Sequence, residues 1–139
     1  MNGHPAFIWP VRVYWEDTDA GGIVVYANYL KFFERARTEW LRSLGVAQGA
    51  LKEGSGGMFV VSETAVRYLR PARLDDELLV TAQLEEAGRA SLIIAQQARR
   101  GDTLLAAGTI RIGWVDAATL RPGRIPPEIL QVLDHTTKA

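Results

Sequence analysis

The run Asp17-Thr18-Asp19-Ala20-Gly21-Gly22 places two carboxylates and two glycines side by side. A carboxylate in such a loop can attack an electrophilic carbon itself, or take a proton from a water that does so. Gly21 and Gly22 let the backbone turn sharply and approach a ligand closely. Tyr26 follows at the entrance of a segment patterned as a helix. The first N–H groups of a helix lack intrahelical partners and lie at the positive end of its dipole. Donors of that kind can stabilise charge developing on a carbonyl oxygen. Taken alone, Asp19 reads as a turn-forming or capping residue. Asp17, nearer the preceding strand, reads as loop structure.

Other chemistries lack their residues. There is no cysteine, which excludes thiol catalysis, Cys-ligated zinc and disulfides and suits the cytosol. The two histidines, His4 and His135, both stand near the chain ends, so a mechanism needing a fixed internal imidazole is disfavoured. No Gly-x-Ser-x-Gly elbow occurs. The Gly54-Ser55-Gly56-Gly57 run is followed by no Gly-Lys-Ser/Thr, so it is not a P-loop. No histidine cluster has metal-ligand spacing, and neither metal nor redox cofactor is expected.

The 139 residues carry 16 basic and 16 acidic side chains, a net charge of +0, with 47% hydrophobic and 23% charged residues. That is the composition of a soluble globular protein, and the length predicts one domain spanning 1–139. A neutral chain lacks the footprint of a nucleic-acid binder. No apolar run approaches a membrane span, and the opening MNGHPAFIWP has no secretory pattern. A cytoplasmic protein is expected.

The elements that must hold the Asp19 loop follow from periodicity. Val11, Val13 and Trp15 alternate with Arg12, Tyr14 and Glu16, which predicts a strand over 11–16 with Pro10 at its entrance. Tyr29, Phe32, Phe33, Ala36, Trp40 and Leu44 recur at steps of three and four, predicting a helix from 27 or 28 to 44 that Gly45 stops. On its opposite side stand Lys31, Arg35, Thr38, Glu39 and Arg42, with Arg35–Glu39 spaced for an ion pair. The glycine-rich stretch 48–57 predicts a loop. Strands are predicted over 58–69, 77–85, 90–99 and 104–115, with a tight turn at Gly101-Asp102 and a short helix opening at Pro126-Pro127 and running to Leu133. The order β-α-β-β-β-β implies an α+β fold, a five-stranded antiparallel sheet wrapped around one long helix. Its open edges predict a homodimer or homotetramer.

The segment from Val11 through Asp19 and Gly22 to Val24, continuing in Tyr26-Ala27-Asn28-Tyr29 and Glu34-Arg35-Ala36-Arg37-Thr38-Glu39, resembles the hotdog-fold acyl-CoA thioesterases. The likeness continues at Tyr68, at Pro71-Ala72-Arg73-Leu74-Asp75-Asp76 and at Arg89-Ala90-Ser91-Leu92. It is strongest for the branch associated with the Tol–Pal envelope system, with the 4-hydroxybenzoyl-CoA thioesterases next. Where the Tol–Pal branch often carries histidine this chain has Tyr26, as in the hydroxybenzoyl branch.

The resemblance implies that Asp19 is the catalytic carboxylate and that the backbone N–H near Tyr26 polarises the thioester. Gly21 and Gly22 would shape the loop. Arg89, with Ser91, matches a position that some relatives use for CoA phosphates; Arg70, Arg73 and Lys52 are weaker choices. Glu34 and Glu39 lie in the helix where other hotdog branches keep a catalytic glutamate. CoA would be part of the substrate rather than a cofactor, and acyl carrier protein is an alternative acyl donor. Hotdog dehydratases generally pair a histidine with a carboxylate, which disfavours that activity here. A module that binds acyl carriers without turnover is the remaining alternative.

Overall fold

The computed structural model describes residues 6–137, and only the backbone of residues 48, 50–52 and 135–137. His4 lies outside the described residues, as do the side chains of Lys52 and His135. The elements run β1 (Phe7–Arg12), a 3-10 turn (Trp15–Asp17), α1 (Asn28–Ser43), α2 (Gln48–Ser55), β2 (Gly57–Tyr68), β3 (Glu77–Ala87), β4 (Ser91–Arg100), β5 (Thr103–Asp116) and α3 (Pro127–Thr137). The strands form one antiparallel sheet in the order β1-β3-β4-β5-β2.

The predicted apolar stripe becomes the buried face of α1. Phe32, Phe33, Ala36 and Leu41 are fully buried, and Tyr29 and Trp40 nearly so. They meet the alternating inner face of the sheet: Leu78, Val80, Ala82 and Leu84 from β3, Leu92 and Ile94 from β4, Ile110 and Ile112 from β5. Each large side chain so buried contributes about 1.5–3 kcal/mol. The helix packs against β3, β1 and β4 and stands off from β2. Beyond the sheet's far end, α3 closes the core through Ile129 and Leu133.

Four expectations need correction. The first strand lies at Phe7–Arg12, not 11–16. It ends where its partner β3 begins, with Arg12 opposite Glu77; the chain then coils, and Trp15 stands 75% exposed in the 3-10 turn. Pro10 consequently sits inside β1, opposite Leu79, which the sheet tolerates because β1 is an edge strand. The stretch predicted as a loop contains α2, which packs on β2 and ends at Gly56 in the left-handed region, φ 75°. Glu39 pairs with Arg42 at 3.2 Å, while the Arg35 guanidinium lies 6.0 Å above the Phe32 ring.

Candidate active site

Two consecutive turns carry the two aspartates. In the first, Asp17 is 2% exposed and both its oxygens are engaged: Oδ2 accepts the Tyr14 N–H at 2.9 Å and Oδ1 accepts the Asn28 side-chain amide at 2.8 Å. Its carbonyl accepts the Val25 N–H at 3.0 Å. Asp17 thus ties the end of the strand segment to the start of α1, the structural part the sequence assigns it.

In the second turn the chain doubles back between Asp19 and Ile23. The Asp19 N–H donates to the Ile23 carbonyl at 2.9 Å, and the Gly22 N–H to the Asp19 carbonyl at 3.0 Å. Gly22 has φ 76°, a conformation costly for residues bearing a Cβ. Asp19 Oδ1 accepts the Gly21 N–H at 2.8 Å and the Ile23 N–H at 3.3 Å. Oδ2 accepts nothing among the described residues, and the side chain is exposed in the single chain. The result is a carboxylate held by one oxygen and free at the other.

The segment after β2 braces this loop. Ile23 bridges Arg73, the Leu74 N–H donates to the Gly22 carbonyl at 3.0 Å, and the Val24 N–H donates to the Ala72 carbonyl at 2.9 Å. Asp76 keeps the brace in shape by accepting the Arg73 N–H at 2.9 Å and Arg100 at 2.8 Å. Burial pushes the Asp76 carboxyl up, but the Arg73 N–H and the Arg100 guanidinium outweigh it and hold it below its ordinary value.

At the entrance of α1 the early N–H groups of Asn28, Tyr29 and Leu30 find carbonyls three residues back. Those of Tyr26 and Ala27 donate to nothing among the described residues. Beside them lies a cavity of about 250 Å³ lined by Tyr26, Tyr29, Tyr68, Arg70 and Pro71, among others. In its aromatic wall Tyr26 and Tyr68 pack edge to face with centroids 6.0 Å apart, and Tyr29 and Tyr68 are tilted at 59° with centroids 5.5 Å apart. The Tyr29 hydroxyl accepts the Ala72 N–H at 3.1 Å. Burial raises the pKa of both Tyr29 and Tyr68, so these phenols are neutral at physiological pH. The Tyr26 ring is 69% exposed.

Asp19, Gly21, Gly22 and the Tyr26 N–H therefore gather at one end of the molecule, where Arg70 lines the cavity and Arg73 joins the brace. Arg89 and Ser91 do not join them within one chain. Arg89 lies in the β3–β4 turn and Ser91 opens β4, at the other end of that hairpin, and Arg89 lines a separate cavity of about 390 Å³ against α3. The burial of one residue escaped the sequence reading. Arg37 is 7% exposed and donates to Gln96 Oε1 at 3.0 Å, while the Gln96 amide donates to the Phe33 and Thr81 carbonyls. Burial lowers the Arg37 pKa. The signal was present: residue 37 lies four after Phe33 and three before Trp40, on the apolar stripe.

A long helix wrapped by a five-stranded antiparallel sheet is the architecture of the hotdog fold. The model of the Thioesterase-like superfamily matches residues 13–133, and the chain belongs to that superfamily. It is 42% identical to the acyl-CoA thioesterase YbgC of Haemophilus influenzae over 93% of this chain and 95% of that protein. To the acyl-CoA thioester hydrolase YbgC of Escherichia coli O6:H1 it is 42% identical over 89% of this chain and 92% of that protein. Among solved structures, a probable thioesterase from Bartonella henselae superposes with a TM-score of 0.84 at 30% identity, covering 88% of this chain and 100% of that one.

Proposed function

We propose that this protein hydrolyses acyl-CoA thioesters to the free acid and CoA, with Asp19 as the catalytic carboxylate and the Tyr26 N–H as the principal donor to the thioester oxygen. One observation carries the proposal: a carboxylate anchored through Oδ1, with Oδ2 unengaged among the described residues, stands in the loop leading to a helix mouth whose Tyr26 N–H also has no partner among them. The neighbouring Ala27 N–H is a second available donor. As the carbonyl carbon is attacked, negative charge moves to its oxygen, and one fixed donor at that position lowers the barrier by about 3–4 kcal/mol.

Two routes share this geometry. Asp19 Oδ2 can take a proton from a water that attacks the carbonyl, after which the C–S bond breaks and the proton passes to the CoA thiolate. Alternatively, Oδ2 attacks directly, CoA leaves, and water hydrolyses the resulting anhydride. A single turnover in ¹⁸O-water separates them, since the second route can leave label in the Asp19 carboxylate and the first cannot. The primary test is Asp19→Asn, which preserves an oxygen for the Gly21 and Ile23 N–H groups. Thiol release from a panel of acyl-CoAs is expected to fall by about 10²–10⁴ in kcat with the melting temperature unchanged. Near-normal turnover would remove Asp19 from the mechanism, whereas no thiol release by the native protein on any acyl-CoA of the panel would favour a binding module for acyl carriers.

The assembly we propose is a homodimer or homotetramer. Val25, Tyr26, Leu30, Val61, Tyr68 and Leu69 are exposed large apolar residues along α1 and the edge strand β2, a surface suited to a second copy. Arg89 and Ser91 are proposed to hold the CoA phosphates of a neighbouring copy's site, because they lie far from Asp19 in their own chain. Acyl carrier protein is a second proposed acyl donor. The cysteine-free composition favours the cytoplasm.

A further inference from the structure

The 71–76 segment that braces the Asp19 loop is itself held in two different ways. Its ends are pinned by backbone. The Leu69 and Arg70 N–H groups both donate to the Leu105 carbonyl before it begins. Where it finishes, the Asp75 N–H donates to the Val13 carbonyl and the Val13 N–H to the Asp76 carbonyl. The middle lies outside the five strands. Some of its bonds run to the loop it supports: the Leu74 N–H reaches the Gly22 carbonyl, the Ala72 carbonyl accepts the Val24 N–H, and Arg73 bridges Ile23. Others run to side chains that reach in from elsewhere.

Tyr29 and Arg100 supply two of those side chains. Ala72 is fully buried, and its N–H donates to the Tyr29 hydroxyl at 3.1 Å. Tyr29 stands in the first turn of α1 and is 3% exposed. Arg100, at the end of β4, donates through one nitrogen to the Pro71 carbonyl at 3.3 Å and to Asp76 Oδ2 at 2.8 Å. The same Asp76 oxygen accepts the Arg73 N–H. The groups form one electrostatic cluster. Burial raises the Tyr29 pKa, the Ala72 N–H and the Arg100 charge offset part of that rise, and Asp76 adds to it.

Asn28 and Tyr29, neighbours at the start of α1, thus grip opposite flanks of the Asp19 turn. Asn28 holds Asp17 on the upstream side. Tyr29 holds Ala72, whose carbonyl holds Val24 on the downstream side. The Tyr29 N–H also donates to the Tyr26 carbonyl at 3.3 Å, so the residue that closes the helix turn behind Tyr26 also anchors the support of the carboxylate.

We propose that Tyr29 and Arg100 are positioning residues for the hydrolysis, fixing the middle of the brace to the helix and to the sheet so that Asp19 keeps one place relative to the Tyr26 N–H. This inference rests on the thioesterase reading above. Each side chain acts through the 71–74 backbone and its bonds to Gly22, Ile23 and Val24.

The test is Tyr29→Phe, which keeps the ring and removes the bond to Ala72. It is assayed at a temperature where the variant is folded, on an acyl-CoA that the native protein turns over. There kcat should fall roughly ten- to hundredfold, the scale of a misplaced reacting group, with KM within about twofold. The same substitution made in Asp19→Asn should change the residual turnover by less than about twofold, because no reactive carboxylate is left to misplace. Arg100→Gln alters a side chain 38% exposed and should repeat the pattern at about two- to tenfold; it carries the test if Tyr29→Phe fails to fold. A merely structural pair would lower Tm without moving kcat, or lower kcat by one factor in both backgrounds. Either result, or a raised KM with kcat unchanged, overturns this inference and leaves the thioesterase reading standing. Near-normal turnover by Asp19→Asn alone removes Asp19 from the mechanism and this inference with it. No turnover by the native protein overturns the thioesterase reading itself, and the inference falls with it.

Discussion

Two turns that follow one another in sequence treat their aspartates in opposite ways. The turn at 14–17 buries Asp17 and gives both oxygens a donor, one from the backbone and one from Asn28. The turn at 19–23 leaves Asp19 exposed, spends one oxygen on the Gly21 and Ile23 N–H groups, and keeps the other unspent. A fully satisfied carboxylate stabilises a fold but has nothing left for chemistry. A partly satisfied one is oriented and still able to react. Within three residues the structure sets a saturated carboxylate beside a half-saturated one, and the scaffold and reagent roles proposed for them can be tested.

Exchanging the roles gives the largest expected effects. Asp19→Asn should abolish most turnover, by the about 10²–10⁴ argued above, while thermal unfolding stays within a degree or so of the native protein. Asp17→Ala should do the reverse. It strands the Tyr14 N–H and the Asn28 amide, costing roughly 2–3 kcal/mol and lowering Tm by about 6–12 °C. Calorimetry beside thiol-release assays at a temperature where both variants are folded would show the crossing. Equal loss of stability in the two variants would erase the distinction.

Gly22→Ala probes the hinge of the second turn. No atom lies within 4 Å of the added Cβ, so the penalty is the strain of φ 76°. That amounts to about 1–2 kcal/mol, read as a lower Tm with reduced kcat if the loop relaxes. A comparison with Gly57→Ala separates backbone strain from steric conflict, since a Cβ at Gly57 would collide with the Trp114 ring.

How far this was legible depends on where each signal lived. The central helix was readable to within a residue at its ends because its apolar stripe repeats at helical spacing, and the strands from β2 onward were readable from alternation and turn residues. The 48–57 stretch misled because glycine weakens helix propensity, whereas the packing of α2 on β2 and a left-handed stop at Gly56 decide the outcome. The first strand misled because Val11, Val13 and Trp15 keep their parity after pairing with β3 has ended. Asp19 was singled out by its setting among Gly21, Gly22 and the helix start. The saturation of Asp17 was not visible, because it depends on Asn28 eleven residues later. The burial of Arg37 was visible in principle from its spacing, but its partner Gln96 comes from β4, a contact that only the assembled sheet supplies.

The smallest effect concerns the third carboxylate, Asp76, which resembles Asp17 in function but stands nearer to solvent. It fixes the 71–76 brace by accepting the Arg73 N–H and Arg100. Burial raises its pKa, but these partners reverse that and leave it below 3.8 in the folded protein. A depressed folded pKa means the unfolded chain binds the proton more readily. Its stabilisation is therefore complete above the unfolded pKa and is lost as pH falls through the folded one. Denaturant titrations from pH 6 downward should show stability declining below about pH 4. Asp116, lowered by hydrogen bonds from Thr119 and Ala118, acts in the same window, so Asp76→Asn should flatten that decline only in part. The variant loses the charge pair with Arg100, which solvent already screens, and a modest effect confined to acid is expected. An unchanged acid slope would mean that the brace holds the Asp19 loop through its backbone bonds to Gly22 and Val24 alone.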